Sequence, residues 1–445
     1  MKKKTFKLSP NRTIALGFLS IILAGALLLM LPFANRGGQG LSFLDSLFTA
    51  TSATCVTGLV VADTWNQFSL LGQVILLVLI QVGGLGYMTM MLQASLLLGK
   101  KIGLRQRSVM MESVSAERLS DVLTLLRYIL RGTAAIEGIG AILLAFRFVP
   151  ELGPLLGFWY AVFHSVSAFC NAGFDLMGFR EPYSSLTYYV FDPLVNLTIC
   201  ALILLGGLGF LVWRDVREKG LCFRRYSLHT KLMLTATLIL TLGGTSLFWW
   251  AERDNLLSGM GPGQQILVSL FQAVSPRTAG FNTVDLAKLT SGGGLLTIVL
   301  MFIGAGPGST GGGVKVTTVT VCLLTLFSYI RGRREVGAFN RRLDEEHIHR
   351  AAAGVTLYMT LAMTGGFLLL AVQPFPLQDA LFEVFSAMST VGLSTGITRD
   401  LLPFSRGLLI VMMYCGRIGS LSMMMALAER TAPRVKDPVE HITVG

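Results

Sequence analysis

The sequence has little charge and lacks the residue patterns of disulfide frameworks and of histidine or cysteine metal centres. Charged residues make up 14% of its 445 residues and hydrophobic residues 52%, with a mean hydropathy of +0.63. Soluble domains carry about 25% charged residues, so this composition excludes a soluble globular protein and indicates a multi-pass membrane protein. The six cysteines form no CxxC pair and the five histidines have no metal-ligand spacing, so we expect the cysteines to be small buried side chains.

One short stretch occurs four times, with its glycines 107 to 115 residues apart. The copies are Thr54-Cys55-Val56-Thr57-Gly58, Cys170-Asn171-Ala172-Gly173, Arg277-Thr278-Ala279-Gly280 and Ser389-Thr390-Val391-Gly392. Each follows an apolar lead-in of the form Phe-x3-Ser, which ends at Ser52, Ser167, Ser275 or Ser386. Such self-similarity indicates that one structural unit is reused, here a short amphipathic helix followed by a glycine-containing turn.

Four such turns around one axis can bind a cation. Extended small residues can present rings of backbone carbonyls that replace the hydration shell of an ion. Glycine adopts the required backbone angles at low cost, and the negative C-terminal end of each lead-in helix would face the ion. Asp45 and Asp379, thirteen residues before Gly58 and Gly392, are predicted to cap these helices. Simple small-residue turns are the alternative, which four copies in register disfavour.

The predicted fold is an all-α membrane protein with eight transmembrane helices and four re-entrant pore helices around one pore. Each repeat consists of an apolar span, a pore helix with its turn, and a second apolar span. Re-entrant backbone is tolerated at membrane depth where it lines water. The repeats are predicted at 1–100, 101–218, 219–345 and 346–445, the last with a cytoplasmic tail, and the spans at 13–33, 68–98, 123–149, 192–213, 230–251, 294–330, 351–373 and 403–428.

The net charge of +12 lies mainly in the segments that join one repeat to the next. This distribution orients a membrane protein and argues against nucleic acid as a partner, so we predict that both termini and these segments are cytoplasmic. No small-residue cleavage site follows the first apolar run, which we interpret as a transmembrane helix and not a signal peptide. The basic residues concerned are Lys100, Lys101, Arg105, Arg107, Arg217, Lys219, Arg224, Arg225, Arg331, Arg333, Arg334, Arg341, Arg342, Arg430, Arg434 and Lys436. The segments on the opposite side contain fewer basic residues. Their acidic residues form either an acidic mouth that concentrates cations or ordinary solvated loops. These acidic residues are Asp63, Asp175, Asp192, Glu252, Asp254, Asp285 and Asp400.

The four turns, and in particular the stretch 275–282 (SPRTAGFN), resemble the Trk/Ktr/HKT superfamily of potassium transporters over nearly the whole chain. The length is most similar to the Ktr membrane (ion-translocating) subunits of bacteria. The resemblance implies four nonidentical repeats around a single K⁺ pathway, with one filter glycine from each. Glycine at position 58 argues for K⁺, since plant relatives with serine there favour Na⁺. The expected filter residues are Val56, Thr57, Gly58, Asn171, Ala172, Gly173, Thr278, Ala279, Gly280, Thr390, Val391 and Gly392.

The resemblance also implies partners and a location. It implies a homodimer in the bacterial plasma membrane, seated on a cytosolic ring of nucleotide-binding, RCK-type regulatory subunits. The basic cytoplasmic loops offer a docking surface for such a ring. K⁺ is then the transported ion, no organic cofactor is expected in this chain, and dependence on Na⁺ or H⁺ is left open.

Residues 304–315 interrupt the second span of repeat three. Ten of them contain six glycines and a proline, which no continuous helix accommodates. The phosphate-binding motif GxxxxGK[ST] is not satisfied, because Val314 separates Gly313 from Lys315. We expect a flexible loop under the filter that can block the pore, and the resemblance implies an intramembrane gating loop here. The expected gating residues are Gly304, Gly306, Gly308, Gly311, Gly312, Gly313 and Lys315.

Arg417 places a charge midway along the last apolar span. Charges at this depth are costly and usually face a pore or a partner. The resemblance implies an arginine that borders the pore below the filter and meets the gating loop; a snorkelling or structural arginine is the alternative. Arg277 is expected to brace the third filter strand from behind the pore.

Other polar and glycine positions in the apolar regions have structural interpretations. For Glu137, His164 and Glu383 we favour hydrogen-bonded structural roles over a proton relay. Gly83-Gly84-x-Gly86 and Gly206-Gly207-x-Gly209 are expected to pack helices closely.

The function predicted from these features is K⁺ uptake, gated by the loop and by a cytosolic subunit. It needs no covalent chemistry, so the protein is not expected to be an enzyme. Two alternatives stay open at this point: a Na⁺- or H⁺-coupled secondary transporter of another solute, and a non-conducting membrane scaffold.

Overall fold

The computed structural model describes residues 10–86, 122–333 and 335–419. These residues are mainly helical, which confirms the all-α prediction; their strand content is one short hairpin of β1 (Gly337–Ala338) and β2 (Arg341–Arg342). Residues 87–98 and 420–428 of two predicted spans lie outside the described residues. So do the predicted cytoplasmic residues Lys100, Lys101, Arg105, Arg107, Arg334, Arg430, Arg434 and Lys436.

The helices follow the predicted order of span, pore helix and span. In the first two repeats they are α1 (Pro10–Leu29), α2 (Phe43–Thr54), α3 (Thr64–Gln67), α4 (Leu70–Leu85), α5 (Val122–Leu152), α6 (Pro154–Phe169), α7 (Pro193–Leu208) and α8 (Phe210–Lys219). In the last two they are α9 (Leu228–Glu252), α10 (Pro262–Val274), α11 (Ser291–Phe302), α12 (Val316–Ile330), α13 (Glu345–Val372), α14 (Leu377–Met388) and α15 (Pro403–Ile418).

The first helix of each repeat is long and apolar. Within the described ranges, four helices are long and apolar enough to cross a membrane: α1, α5, α9 and α13. Each is followed by a shorter helix that ends at one of the four glycine turns, as predicted for pore helices. These shorter helices are α2, α6, α10 and α14.

The second helices of repeats one, two and four differ from the prediction of continuous spans, whereas the break in repeat three was predicted. α4 and α15 contain 16 residues each, or about 24 Å of helix against a hydrocarbon core of about 30 Å. α7 and α8 meet at an angle of 91°. Glycines with left-handed backbone angles end α4, α7 and α15, at Gly86 (φ 80°), Gly209 (φ 93°) and Gly419 (φ 90°). In repeat three, residues 303–315 separate α11 from α12.

The repeats pack around a closed ring. The second helix of each repeat contacts the pore helix of the next: α4 with α6, α7 with α10, and α11 with α14. The last repeat closes the ring, because α15 packs on α2. The four pore helices are therefore brought to one centre, and their C-terminal ends lead into the four turns.

Small residues allow the second helices to approach the pore helices. A Cβ atom at Gly83, Gly206 or Gly416 would collide with the backbone oxygen of Thr54, Phe169 or Met388, respectively. Each of these is the last residue of the pore helix in the same repeat. This contact confirms that the two GGxG stretches serve close packing, and it extends the same role to repeat four.

The capping prediction is wrong for both aspartates. Ser42 is the N-cap of α2 and accepts a hydrogen bond from the Asp45 backbone N–H at 3.2 Å. Pro376 precedes α14, which has no side-chain cap. Both helices begin two residues before the aspartate, so Asp45 and Asp379 lie in the first turn, where they still face the positive end of the helix dipole.

The cysteine prediction holds for three of six residues. Cys55, Cys170 and Cys200 are buried, Cys322 and Cys415 are half-buried, and Cys222 is exposed because it lies in the loop between α8 and α9. The outer surface of the long helices is apolar, with Phe146 70%, Trp250 67% and Phe367 71% exposed. Such a surface suits a bilayer and not water.

Candidate ion filter and the loop beneath it

The four glycines meet in a closed ring. A Cβ at Gly58 would lie 2.5 Å from the Ala172 oxygen, and a Cβ at Gly173 would lie 2.8 Å from the Ala279 oxygen. In the same way Gly280 faces the Val391 oxygen and Gly392 faces the Thr57 oxygen, at still shorter distances. Every glycine of the ring is therefore in contact with the carbonyl of the following repeat, and none can be replaced without displacing backbone.

Two residues in each turn have left-handed backbone angles. The glycines have φ of 94°, 70°, 79° and 93° at Gly58, Gly173, Gly280 and Gly392. The residue two positions before each glycine also has a positive φ although it is not glycine: Val56 (57°), Asn171 (58°), Thr278 (74°) and Thr390 (54°). Sequence reasoning missed this second position, since Val and Thr rarely adopt a left-handed backbone and Asn, which does so more often, occurs in one turn alone. Such conformations cost about 1–3 kcal/mol and persist where the surrounding structure holds them.

The serine of each lead-in holds the turn that follows it. Ser52 Oγ accepts a hydrogen bond from Gly58 N at 3.0 Å, and Ser386 Oγ accepts one from Gly392 N at 3.0 Å. Ser167 Oγ instead donates to the Phe174 oxygen at 2.7 Å, and Ser275 Oγ donates to the Phe281 oxygen. The repeated Phe-x3-Ser spacing was a visible signal for this brace.

The carbonyl groups of the turns lack protein donors. In the part of the chain that the structure describes, no hydrogen bond reaches the backbone oxygens of Val56, Thr57 and Gly58 or of their counterparts in the other three turns. The residues that carry these oxygens are buried, except Gly392, which is half-buried. Buried carbonyls are normally paired, and a cation without its water shell is a suitable partner.

Several side-chain oxygens around the ring are also buried and unpaired within the described residues. They belong to Thr57, Asn171 and Thr390. The Asn171 amide donates through Nδ2 to Thr278 Oγ1 at 3.2 Å, which joins turns two and three. The structure thus brings together the predicted filter residues of all four repeats.

Segment 304–315 lies directly beneath this ring. A Cβ at Gly311 would collide with Thr278 Oγ1, and a Cβ at Gly312 would collide with Thr390 Oγ1. The segment folds back on itself through Gly304 N to the Val314 oxygen at 2.9 Å. It also joins repeat two, where Gly306 N donates to the Gly207 oxygen at 2.8 Å.

Arg417 links the segment to the neighbouring helix end. Its guanidinium donates to the backbone oxygens of Thr310 and Gly83, and to that of Gly84 at 3.1 Å. Lys315 stays within the segment, because its Nζ donates to the Gly311 oxygen at 2.8 Å. Arg417 is therefore placed between the loop and α4, and not at the lipid surface as a snorkelling arginine would be.

Arg277 faces away from the ring. It is 6% exposed, and its guanidinium donates to Thr241 Oγ1 of α9 at 2.9 Å. The third turn is thereby tied to the long helix of its own repeat, on the side that the bracing interpretation predicts.

The three ionisable residues for which structural roles were predicted have hydrogen-bond partners. Glu137 accepts from Gln81 Nε2 at 3.2 Å, His164 Nε2 accepts from Leu176 N at 3.4 Å, and Glu383 accepts from Ser394 Oγ at 2.8 Å. His164 and Glu383 occupy equivalent positions, nine residues before Gly173 and Gly392, and each fastens the segment after its turn.

Some residues of the predicted acidic mouth have structural roles of their own. Asp63 caps α3, and Asp192 caps α7 and pairs with Arg147 at 2.7 Å. Glu252 accepts from Thr290 N at 2.9 Å. These contacts favour the simpler interpretation for these three residues.

These features define a class: a helical membrane protein in which four glycine turns meet in one ring. The chain belongs to the TrkH family, whose model is described as "Cation transport protein" and matches residues 13–433. This is a family of transport proteins and not of enzymes.

Characterised relatives align over the full length of the chain. It is 39% identical to the Ktr system potassium uptake protein B of Bacillus subtilis, over 99% of this chain and 98% of that protein. It is 40% identical to the protein of the same name from Vibrio alginolyticus, over 100% and 97%. The potassium/sodium uptake protein NtpJ of Enterococcus hirae is 38% identical over 100% and 99%.

The fold also matches a crystal structure. The potassium transporter TrkH from Vibrio parahaemolyticus superposes with a TM-score of 0.74, over 96% of this chain and 87% of that chain, at 19% sequence identity. This similarity supports the fold, and the sequence relatives support the family.

Proposed function

We propose that the protein takes up K⁺ across the bacterial plasma membrane through the ring of its four turns. The observation that carries the proposal is the closed contact of Gly58, Gly173, Gly280 and Gly392 with the carbonyls of the following repeats. Relatives at 38–40% identity are named as potassium or potassium/sodium uptake proteins, which supports K⁺ as the ion.

The ring performs transport by solvation and not by bond chemistry. Backbone oxygens of Val56, Thr57, Gly58 and their counterparts replace water around the ion, and the electrochemical gradient drives it through. Four contacting turns whose backbone oxygens are unpaired within the described residues suit a bare cation better than an organic solute, which argues against the solute transporter. The four turns differ in sequence, with Asn171 where turns three and four have Thr. The ion site is therefore not four-fold symmetric in its side chains.

The segment 304–315 acts as the gate in this proposal. Its glycines lie against Thr278 and Thr390 at the inner side of the ring, where it obstructs ion passage. Arg417 holds the segment in place through the Thr310 oxygen, so movement of this arginine relative to the loop opens the path.

The arrangement of the whole chain follows from the same proposal. The repeats comprise residues 1–100, 101–218, 219–345 and 346–445, and both termini are cytoplasmic. The active form is a homodimer on a cytosolic nucleotide-binding ring, and nucleotide acts on that ring and not on this chain. Na⁺ dependence is supported by the name of the relative NtpJ, a potassium/sodium uptake protein.

The test is uptake of Rb⁺ or K⁺ by cells that lack their own K⁺ systems. We expect the native chain to restore growth at low K⁺, and Gly58→Ser and Gly392→Ser to abolish uptake or admit Na⁺. Gly407→Ser is the matched control, because a Cβ at Gly407 on α15 meets no heavy atom within 4 Å. Equal uptake by all variants would make the turns structural and favour the solute transporter or the scaffold.

A further inference from the structure

The end of α12 combines an apolar face with a cluster of arginines. Leu323, Leu326, Phe327 and Ile330 are 48%, 52%, 55% and 68% exposed and recur at helical spacing, so they form one stripe. In a membrane helix an exposed stripe of this kind faces acyl chains. The stripe reaches the last residue of the helix, and the arginines follow at once.

Five exposed arginines lie at this end of the molecule without a carboxylate within 4 Å among the described residues. They are Arg224, Arg225, Arg331, Arg333 and Arg341, which we call the basic patch. Nearby arginines behave differently: Arg342 pairs with Glu335 at 2.6 Å, and Arg350 pairs with Glu346 at 2.6 Å. The patch therefore carries positive charge that the described part of the protein does not neutralise.

Contacts between two loops make the patch one surface. The rings of Phe223 and Phe339 meet edge to face at 5.8 Å, which joins the loop before α9 to the β1–β2 hairpin. The hairpin packs against α12, and Lys231 Nζ donates to the Arg224 oxygen at 2.9 Å. The arginines of both linker segments are thus held on the same side.

Exposed apolar side chains accompany the charges. Leu221 is 96% exposed and Tyr329 is 84% exposed, beside Arg224 and Arg331 in the sequence. An aromatic ring at a helix end and a leucine next to basic residues are typical of a membrane–water interface, where the apolar part enters the acyl region and the guanidinium meets a phosphate. A surface that binds a soluble protein would not be expected to continue into an apolar stripe that faces lipid, as this one does.

We propose that the basic patch binds the headgroups of anionic phospholipids in the cytoplasmic leaflet. The planar guanidinium group suits a phosphate because it offers paired N–H donors. The consequence is mechanical: α12 begins one residue after Lys315, so lipid bound at its far end fixes the helix that carries segment 304–315.

The experiment measures lipid preference with the full-length protein in phosphatidylcholine vesicles. Spin-labelled phosphatidylglycerol and phosphatidylcholine are compared by the fraction of each that is immobilised at the protein surface. We expect native protein to prefer phosphatidylglycerol, and Arg331→Gln/Arg333→Gln/Arg341→Gln to lower this preference by about fivefold for each arginine that contacts a headgroup. High salt should reduce the preference of the native protein more than that of the triple variant.

The double variant Arg342→Gln/Arg350→Gln is the control, since those arginines are already paired, and it should keep the native preference. Thermal unfolding midpoints of all three proteins establish that the fold is retained. A triple variant with native lipid preference overturns the proposal, and so does an equal loss in the control. If the triple variant keeps its lipid preference but loses response to a cytosolic protein, the patch is a protein interface and the lipid assignment is wrong.

Discussion

The four filter turns and segment 304–315 are both rich in glycine, yet they are held in different ways. Each turn is braced by a serine of its own pore helix, and its glycine is confined by the next repeat. The segment occurs once, contacts the ring by close approach, and is tied to α15 by Arg417 alone among the described residues. In the ring glycine permits contact between backbones, whereas in the segment it prevents a helix. The recurring turns are held by contacts that recur, whereas the single segment depends on its own hydrogen bonds to repeat two and to Arg417.

The largest effect is expected from removing the braces that fix the turns. In Ser52→Ala/Ser386→Ala the amide N–H groups of Gly58 and Gly392 lose their acceptors, at a cost of about 1–3 kcal/mol each. We expect the preference for K⁺ over Na⁺ to fall by at least about tenfold, measured as competition between the ions in Rb⁺ uptake. Ser269→Ala is the control, since Ser269 is fully buried and its Oγ has no hydrogen-bond partner within the described residues. An unchanged ion preference in the double variant would show that the turns need no brace.

A smaller effect is expected from freeing the segment. Arg417→Gln shortens the side chain and removes the charge that binds the Thr310 and Gly83 oxygens, so in the proposed gating the closed position becomes less stable. We expect uptake by the chain without its regulatory subunits to rise several-fold, because hydrogen bonds of charged groups contribute about 1.5–3 kcal/mol.

Lys315→Gln is the comparison for that variant. Lys315 bonds only to oxygens of its own segment among the described residues, so its loss leaves the tether to α15 in place. Uptake should change less than in Arg417→Gln. Equal effects of the two substitutions would contradict the assignment of Arg417 as the tether.

The smallest effect is expected at the closure of the ring. Arg406 of α15 pairs with Asp45 of α2, and the two side chains are 22% and 23% exposed. Arg406→Gln should lower stability by about 1 kcal/mol or less, seen as a slightly lower thermal unfolding midpoint. Arg253→Gln, which breaks a more exposed pair with Asp254 (49% and 87% exposed), should have no measurable effect. A large loss in Arg406→Gln would mean that closure depends on this pair more than on helix packing.

The recurring features were predictable from the sequence because their residue pattern occurs in four copies. The pore helices, the four glycines and the break at 304–315 were each indicated by spacing or composition. The left-handed backbone of Val56, Asn171, Thr278 and Thr390 was not, since it is imposed by the ring and not by these residues. The bend at Gly209 was missed because apolar residues continue on both sides, and hydropathy does not detect a change of direction.

The Asp45 error has a similar cause. Asp and Ser are both good N-caps, so composition alone could not decide between Ser42 and Asp45. The choice depends on where the helix begins, and Asp45 is engaged instead by an arginine 361 residues later in the chain. Partners so distant in sequence leave no local pattern.

The cyclic order of contacts has a consequence for synthesis of the protein. α2 receives its neighbour from α15, the last described helix, so the first pore helix stays uncovered on one side until nearly the whole chain has been inserted. A chain that stops after three repeats lacks Gly392, whose backbone packs against Thr57 and Gly58, so the ring stays open on that side. Assembly of the ring is therefore complete only when the last repeat has been inserted.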